Sequence, residues 1–325
     1  MSAKLKALLA TGRVSNLPTV WCNCLVAVLI IFHSSETGYQ ELVRQPWSLL
    51  LTQLAIFLVF ISSFFYVGGC FMGDYYDKEF DAKHKPERPI PSGVLSANIV
   101  IGIGFPLMLI ACLGGVIIPH ILIDKVSLNH LLFPVLLLFL TIQNYSRYHK
   151  KSLFIGLPLI GLCRFSLIIF AASSTAAFMI IDTGTGVLTR YHSGSYFILP
   201  IIIYAAAVCI YTIAFASVAR TESSDSPITW RNLLRYTMLA LPLTVLFTNQ
   251  SLQIETITAL VIYALWLSYA FSFLSKNKGN YVSKCLAGFC LLDACFLAQF
   301  GWIWVVICLI LFLLALALQK IAPAT

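Results

Sequence analysis

Long apolar segments recur along the whole chain, and they constrain its fold more than any other feature. Ten are long enough, or nearly long enough, to cross the roughly 30 Å hydrocarbon core of a bilayer as helices. They lie at about 16–33, 47–72, 97–117, 129–146, 155–178, 196–218, 233–249, 254–275, 281–298 and 301–319. Because 281–319 is one nearly continuous run broken only at Gln299 to Gly301, nine or ten spans are predicted. We therefore predict an all-α, polytopic membrane helical bundle forming one domain over residues 1–325.

The composition excludes a soluble domain. Only 10% of the 325 residues are charged and the mean hydropathy is +0.89, whereas soluble domains carry about 25% charged residues. The net charge of +8 does not indicate nucleic-acid binding, because the basic residues form short clusters between apolar runs. The ten cysteines form no CxxC pair, so we expect reduced, hydrophobic thiols. The first segment has no small-residue cleavage pattern and is expected to be a retained anchor.

The basic residues predict an orientation. If the N-terminus is inside and the ten spans alternate, seventeen of the 21 Lys and Arg residues lie inside. Three lie outside, Arg44, Lys125 and Arg190, and Arg164 lies within a span. This skew follows the positive-inside rule. It predicts a cytoplasmic N-terminus, with the polar inside loops on the same face.

One inside segment, GDYYDKEFDAKHKPERPIPSG, is densely charged. At the end of a helix, Asp74, Asp77 and Asp81 stand at i, i+3 and i+7, which places the three carboxylates within roughly 60° of one another. Glu79 points elsewhere. Three carboxylates on one stripe repel unless a cation lies among them, and Mg²⁺ prefers such oxygen ligands together with substrate phosphates.

The residues that follow the acids add cations and stop the helix. Lys83, Lys85 and Arg88 could bind phosphate oxygens, and Pro86 begins a Pro-rich stretch that ends the helix. The alternative is a solvated loop whose charges neutralise one another. The helical spacing, the basic tail and the rigid Pro frame together favour a site.

This segment resembles the first Asp-rich motif of UbiA-type membrane prenyltransferases, NDxxDxxxD followed by a basic stretch ending in RPxPSG. The stretches RVSNLPTVWCN and YSRYHKKSLFIGLPLIGLCRF also resemble family regions. The resemblance implies about nine helices around a cavity open to the cytoplasm. It further implies Mg²⁺-dependent transfer of a prenyl or polyprenyl group from its diphosphate to an aromatic or other lipophilic acceptor within the membrane.

The resemblance and the charge pattern together give a predicted site. Its metal ligands are Asp74, Asp77, Asp81, Glu222 and Asp225, its catalytic residues are Asp77, Asp81 and Tyr145, and its diphosphate ligands are Arg13, Lys85, Arg88, Lys150 and Arg164.

Two departures from the family pattern bear on activity. Gly73 replaces the leading Asn of the first motif, and with Gly69 it forms a GxxxG pair typical of close helix packing. The second Asp-rich motif is degenerate, ARTESSDSP, where only Glu222 and Asp225 offer carboxylates. This pair either holds a second Mg²⁺ or belongs to an ordinary loop.

Some predicted residues have structural alternatives. Arg13 is either a diphosphate ligand or a positive-inside anchor. Arg164 lies so deep in its span that it must be paired or face a polar chamber. Asp293, similarly deep, is its candidate partner.

The end of the fourth span carries further polar residues. Tyr145 and Lys150 either position diphosphate, as the resemblance implies, or simply end the helix. Tyr148 and His149 are predicted to be interfacial.

Two functions remain open. The first is Mg²⁺-dependent prenyl transfer, with a prenyl diphosphate, a lipophilic acceptor and membrane lipid as partners. The second is a non-catalytic isoprenoid-lipid binding or transport protein on the same scaffold, which the two departures motivate. A CDP-alcohol phosphotransferase ranks last, because its ordered Asp motif is absent.

Overall fold

A computed structural model describes residues 2–33, 49–122, 128–183, 198–219, 253–274 and 277–322, with 237, 238, 240, 241 and 244. These residues form ten α-helices, and none of them lies in a β-strand. The helices are α1 (Ala3–Thr11), α2 (Leu17–His33), α3 (Leu49–His84), α4 (Ala97–Leu122), α5 (Leu128–Tyr148), α6 (Leu153–Thr183), α7 (Ile198–Ala219), α8 (Ile254–Phe271), α9 (Lys278–Leu297) and α10 (Trp302–Gln319).

The membrane architecture is confirmed. Within the described part of the chain, nine helices, α2 to α10, are long and apolar enough to cross a membrane. They correspond to nine of the ten predicted segments, and the remaining one, 233–249, lies mostly outside the described residues. The short helix α1 is not among the predicted segments. All ten cysteines are free thiols, as expected.

Two helix ends decide where the chain turns. Gly301 has φ of +106°, a conformation that side chains other than glycine rarely adopt. It follows the 3₁₀ turn Ala298–Phe300 and divides the long apolar run into α9 and α10. Helix α3 is 36 residues long, continues beyond its apolar part and ends at His84, two residues before Pro86. The predicted stop at the Pro-rich stretch is therefore correct.

Helices α2 and α9 form the centre of the bundle. They are the most buried spans, and α2 contacts α3, α6, α7, α9 and α10. The outer helices present large apolar side chains outward, including Ile121, Phe133, Leu265 and Leu313. Lipid is the solvent that suits such a surface. Because the start of α2 and the ends of α3 and α5 contribute to one cluster of charges, they lie at the same end of the bundle.

Candidate active site

A cavity of about 640 Å³ lies between the helices. Most of its wall is apolar, and the charged residues gather at one end. The apolar wall includes Phe65, Leu138, Ile142, Ile160, Leu167, Phe215, Leu286 and Phe289. A cavity of this kind can hold a hydrocarbon chain against its apolar wall and an anionic headgroup against its charged end.

The three aspartates on the last turns of α3 face inward, as their spacing predicts. Asp74, Asp77 and Asp81 are 9%, 6% and 1% exposed, whereas Glu79 on the same helix is exposed. Asp74 and Asp77 line the cavity, and Asp81 lies one turn further along α3. Buried carboxylates are costly unless they are paired, so their neighbours are part of the site.

Two arginines neutralise part of this negative charge. Arg88 places Nη1 2.8 Å from Asp81 Oδ2 and 3.6 Å from Asp74 Oδ1. Arg13 places Nη2 3.6 Å from the same Asp74 oxygen. Arg13 is therefore part of the site and not only an anchor. It has φ of +45°, rare for a residue other than glycine, and strained backbone of this kind is concentrated at functional sites.

The turn after α5 supplies two more basic side chains. His149 Nε2 lies 3.2 Å from Asp77 Oδ2, and its Nδ1 lies 2.9 Å from the Tyr145 carbonyl oxygen. Lys150 Nζ lies 3.5 Å from Asp77 Oδ2 and 3.8 Å from Asp81 Oδ1. Burial lowers the pKa of Lys150 although both aspartates act in the opposite direction.

The prediction that His149 is interfacial is wrong, because its side chain lines the cavity beside Asp77. Tyr148 is exposed, and its interfacial position stays a prediction. Tyr145 also lines the cavity, and its ring stacks on His149 with centroids 4.7 Å apart. We call Asp74, Asp77, Asp81, Arg13, Arg88, His149 and Lys150 the charged cluster. Lys85 lines the cavity next to it, whereas Lys83 is exposed.

Arg164 does not form the direct ion pair with Asp293 that was one of its predicted alternatives. Its guanidinium donates to Asn23 and Thr19, and Asn23 in turn donates to Asp293. Arg164 also lines the cavity. The predicted Arg164–Asp293 pair is therefore wrong, because Asn23 lies between the two charges, and the alternative that the guanidinium faces a chamber is correct.

The two glycines of the GxxxG pair, Gly69 and Gly73, have different surroundings. A Cβ at Gly69 would lie 2.6 Å from Ile142 Cγ2, so Gly69 permits close packing of α3 on α5. A Cβ at Gly73 would meet only Ser146 Oγ, at 4.0 Å. Gly73 lines the cavity, so the packing role predicted for it is wrong, and the space where the family motif has Asn is open.

The carboxylates fit the Mg²⁺ that the family motif implies. Asp81 Oδ1 is buried and accepts no hydrogen bond within the described structure, which leaves a hard oxygen free for a cation. No three His, Cys, Asp or Glu side chains in the described ranges converge into a complete metal cage. Mg²⁺ does not need one, because it commonly takes one or two carboxylates together with phosphate and water oxygens. Glu222 and Asp225 lie outside the described residues.

These features define a class of protein: a polytopic helical membrane protein whose apolar cavity ends in carboxylates and cations. A sequence model of the UbiA prenyltransferase family matches residues 24–291. The chain belongs to this family.

Relatives agree with this assignment. The digeranylgeranylglyceryl phosphate synthase of Thermococcus sibiricus is 34% identical over 135 residues, which are 41% of this chain and 42% of that protein. The match thus spans less than half of the relative's length.

Two solved structures share the fold. One comes from work on structural and mechanistic insights into the biosynthesis of digeranylgeranylglyceryl phosphate synthase in membranes. Its TM-score is 0.53 at 19% identity, over 94% of this chain and 99% of the other. The other is the apo structure of a UbiA homolog from Aeropyrum pernix K1. Its TM-score is 0.59 at 13% identity, over 89% and 98% of the two chains.

Proposed function

We propose that this UbiA-family protein transfers a prenyl or polyprenyl group from its diphosphate to a lipophilic acceptor in a Mg²⁺-dependent reaction. The observation that carries the proposal is the convergence of three buried aspartates with Arg13, Arg88, His149 and Lys150 at one end of an apolar cavity. A diphosphate needs both cationic partners and metal-binding carboxylates, whereas its prenyl tail needs an apolar wall.

The acidic and basic residues of the charged cluster would have different roles. Asp74, Asp77 and Asp81 would hold Mg²⁺, and the bound ion would supply positive charge to stabilise a leaving diphosphate. Arg88, Lys85 and the other basic side chains would bind the remaining phosphate oxygens through charge-assisted hydrogen bonds.

The cavity wall would protect the reacting carbon. Once the diphosphate leaves, an allylic carbocation is short-lived in water, and a dry apolar cavity excludes that competing nucleophile. Tyr145 lies where the charged and apolar walls meet, since it lines the cavity one turn before His149. We assign it a role in orienting the substrate there.

The experiment compares variants on one helix. Asp77→Asn and Asp81→Asn remove a charge from the cluster with little change in volume. Each is expected to lower turnover of a radiolabelled prenyl diphosphate by about 10²-fold or more, the magnitude typical of lost electrostatic stabilisation. Glu79→Gln, on the exposed face of the same turns, is the matched control and should keep wild-type turnover. Wild-type turnover by both Asp variants would refute the assignment.

A non-catalytic lipid-binding function is the second candidate. One observation favours it: every aspartate of the cluster already has a basic side chain within 4 Å, so the cluster is largely neutralised without metal. Calorimetric titration with a non-hydrolysable prenyl diphosphate distinguishes the two. Prenyl transfer requires binding that strengthens with Mg²⁺. Metal-independent binding, with no product from any acceptor, would support the binding protein.

A further inference from the structure

Arg164 is a buried cation that the proposed reaction does not use. It lies on α6 within a membrane span, is 8% exposed, and lines the cavity. A charge at such depth is costly and is commonly associated with function. Its Nη1 donates to Asn23 Oδ1 at 2.8 Å, and its Nη2 donates to Thr19 Oγ1 at 2.9 Å.

A sealed network behind Arg164 holds the guanidinium in place. Asn23 Nδ2 donates to Asp293 Oδ2 at 2.8 Å, and the Tyr204 hydroxyl donates to Asp293 Oδ1 at 2.8 Å. Asn23, Tyr204 and Asp293 are fully buried, so Arg164 is the member that reaches the cavity. Because a cation lies on one side of Asn23 and an anion on the other, its amide has one satisfied orientation. Asp293 thus compensates the charge without touching the guanidinium.

Arg164 lies well below the charged cluster. Its guanidinium carbon is 5.7 Å from the centre of the Tyr66 ring, and Tyr66 precedes Asp74 by eight residues on α3. At 1.5 Å per residue this is a rise of about 12 Å. On α2, Asn23 lies six residues after Leu17, where the helix begins, or about 9 Å further into the bundle. Arg164 therefore contacts residues deeper in the bundle than the charged cluster, and competition with diphosphate decides whether one anion reaches both.

The guanidinium has hydrogen-bonding capacity left for a ligand. Arginine carries five N–H donors, and the contacts to Asn23 and Thr19 use two of them. The Tyr66 and Phe289 rings flank it, with the guanidinium carbon 4.7 Å from the Phe289 centroid. Such a fixed, weakly hydrated fork matches the two oxygens of a carboxylate or phosphate.

We infer that Arg164, positioned by Asn23 and Asp293, forms a second anion site that binds a carboxylate or phosphate oxygen of the acceptor. The inference rests on the proposed function, since it places the second substrate in the same cavity. It also replaces the sequence-based prediction that Arg164 binds the diphosphate.

Three single-chain probes test this site: decanoate, decyl phosphate and decanol. They share one alkyl chain and differ in charge. Each is titrated calorimetrically at pH 8, without Mg²⁺, into the protein in phosphatidylcholine nanodiscs, with empty nanodiscs as the blank. The wild type is expected to bind at least one anion about 10- to 100-fold more tightly than decanol, the usual value of a hydrogen bond to a charged group. The tighter anion identifies the headgroup.

The variants separate binding from structure. Arg164→Gln should remove the preference for the anion while keeping the affinity for decanol, and Arg164→Lys should retain part of the preference. A role confined to packing would lower all three affinities together. That result would overturn the inference, as would a wild type with no preference for either anion.

A competition experiment between inorganic diphosphate and the preferred anion distinguishes the two anion sites. It uses only the wild-type protein, so it does not depend on the folding of a variant. Saturating inorganic diphosphate with Mg²⁺ is expected to leave the affinity for the preferred anion unchanged. Displacement of that anion would place it in the charged cluster and overturn the inference. None of these titrations measures prenyl turnover, so a failure of the proposed function is detected separately, as missing Mg²⁺-dependent product.

Discussion

At the scale of single residues, the acidic and basic side chains of the charged cluster neutralise one another. Asp81 is almost completely buried, and its closest cation, Arg88, lies at 2.8 Å. Removing one partner of such a pair costs about 3–5 kcal/mol, because the other charge is left buried. These ion pairs therefore stabilise the cluster without substrate, and under the proposed function Mg²⁺ and a diphosphate would rearrange them. We expect the basic side chains to move from the aspartates to the phosphate oxygens.

The two glycines of α3 provide a residue-scale prediction. Gly69→Ala should lower the free energy of unfolding by about 1–3 kcal/mol, because its new Cβ would lie 2.6 Å from Ile142 Cγ2. Gly73→Asn should change it by less than about 1 kcal/mol, since the nearest atom to a Cβ there is 4.0 Å away. SDS titration in mixed micelles measures both. Equal losses at the two positions would contradict the assignment of Gly73 to the cavity wall.

At the scale of helices, two devices position the site. Helix α3 runs unbroken from the apolar segment to His84 and so presents three aspartates, over two turns, at the end of the bundle. The network of Arg164, Asn23, Tyr204 and Asp293 ties together α6, α2, α7 and α9. Hydrophobic attraction between helices is weak in lipid, so a buried polar network of this kind helps to fix their relative positions.

The network should behave as one unit. Asn23→Leu and Asp293→Leu each disconnect Arg164 from its counter-charge, so each should cost about 2–4 kcal/mol. The double variant should cost about 1–3 kcal/mol less than the sum, because the same interaction is lost in both singles. SDS unfolding of the four proteins in this cycle measures the coupling.

The control for that cycle pairs Asn23→Leu with Ser268→Ala, a change at an exposed position on α8. Those two effects should add. Additivity in the Asn23 and Asp293 pair would show that the amide does not connect the two charges.

At the scale of the whole molecule, the helical bundle was predictable because spans and charge patterns are local. The ten apolar runs, the stop at Pro86 and the inward face of the three aspartates all follow from spacing along one segment. The contacts between segments do not. His149 follows the exposed Tyr148, and it is the packing of α5 on α3 that places His149 at Asp77. Asn23 is one polar residue in an apolar run, so its position between Arg164 and Asp293 had no local signal.

Orientation is the remaining whole-molecule prediction. The excess of Lys and Arg on one side predicts that the N-terminus and the charged cluster face the cytoplasm. An epitope tag before Ser2, which is exposed, should react with antibody in permeabilised cells and not in intact ones. Staining of intact cells would reverse the predicted topology.

The most direct test of prenyl transfer is a metal-removal measurement on the purified wild-type protein. The protein is reconstituted in liposomes made from a total lipid extract, which supplies the acceptor, and given a radiolabelled prenyl diphosphate. With Mg²⁺, we expect release of inorganic diphosphate in step with incorporation of label into one lipid product. With EDTA both should cease, and added Mg²⁺ should restore them. Binding of the prenyl diphosphate without either product, whether Mg²⁺ is present or not, would show that the protein is not a prenyltransferase for that substrate.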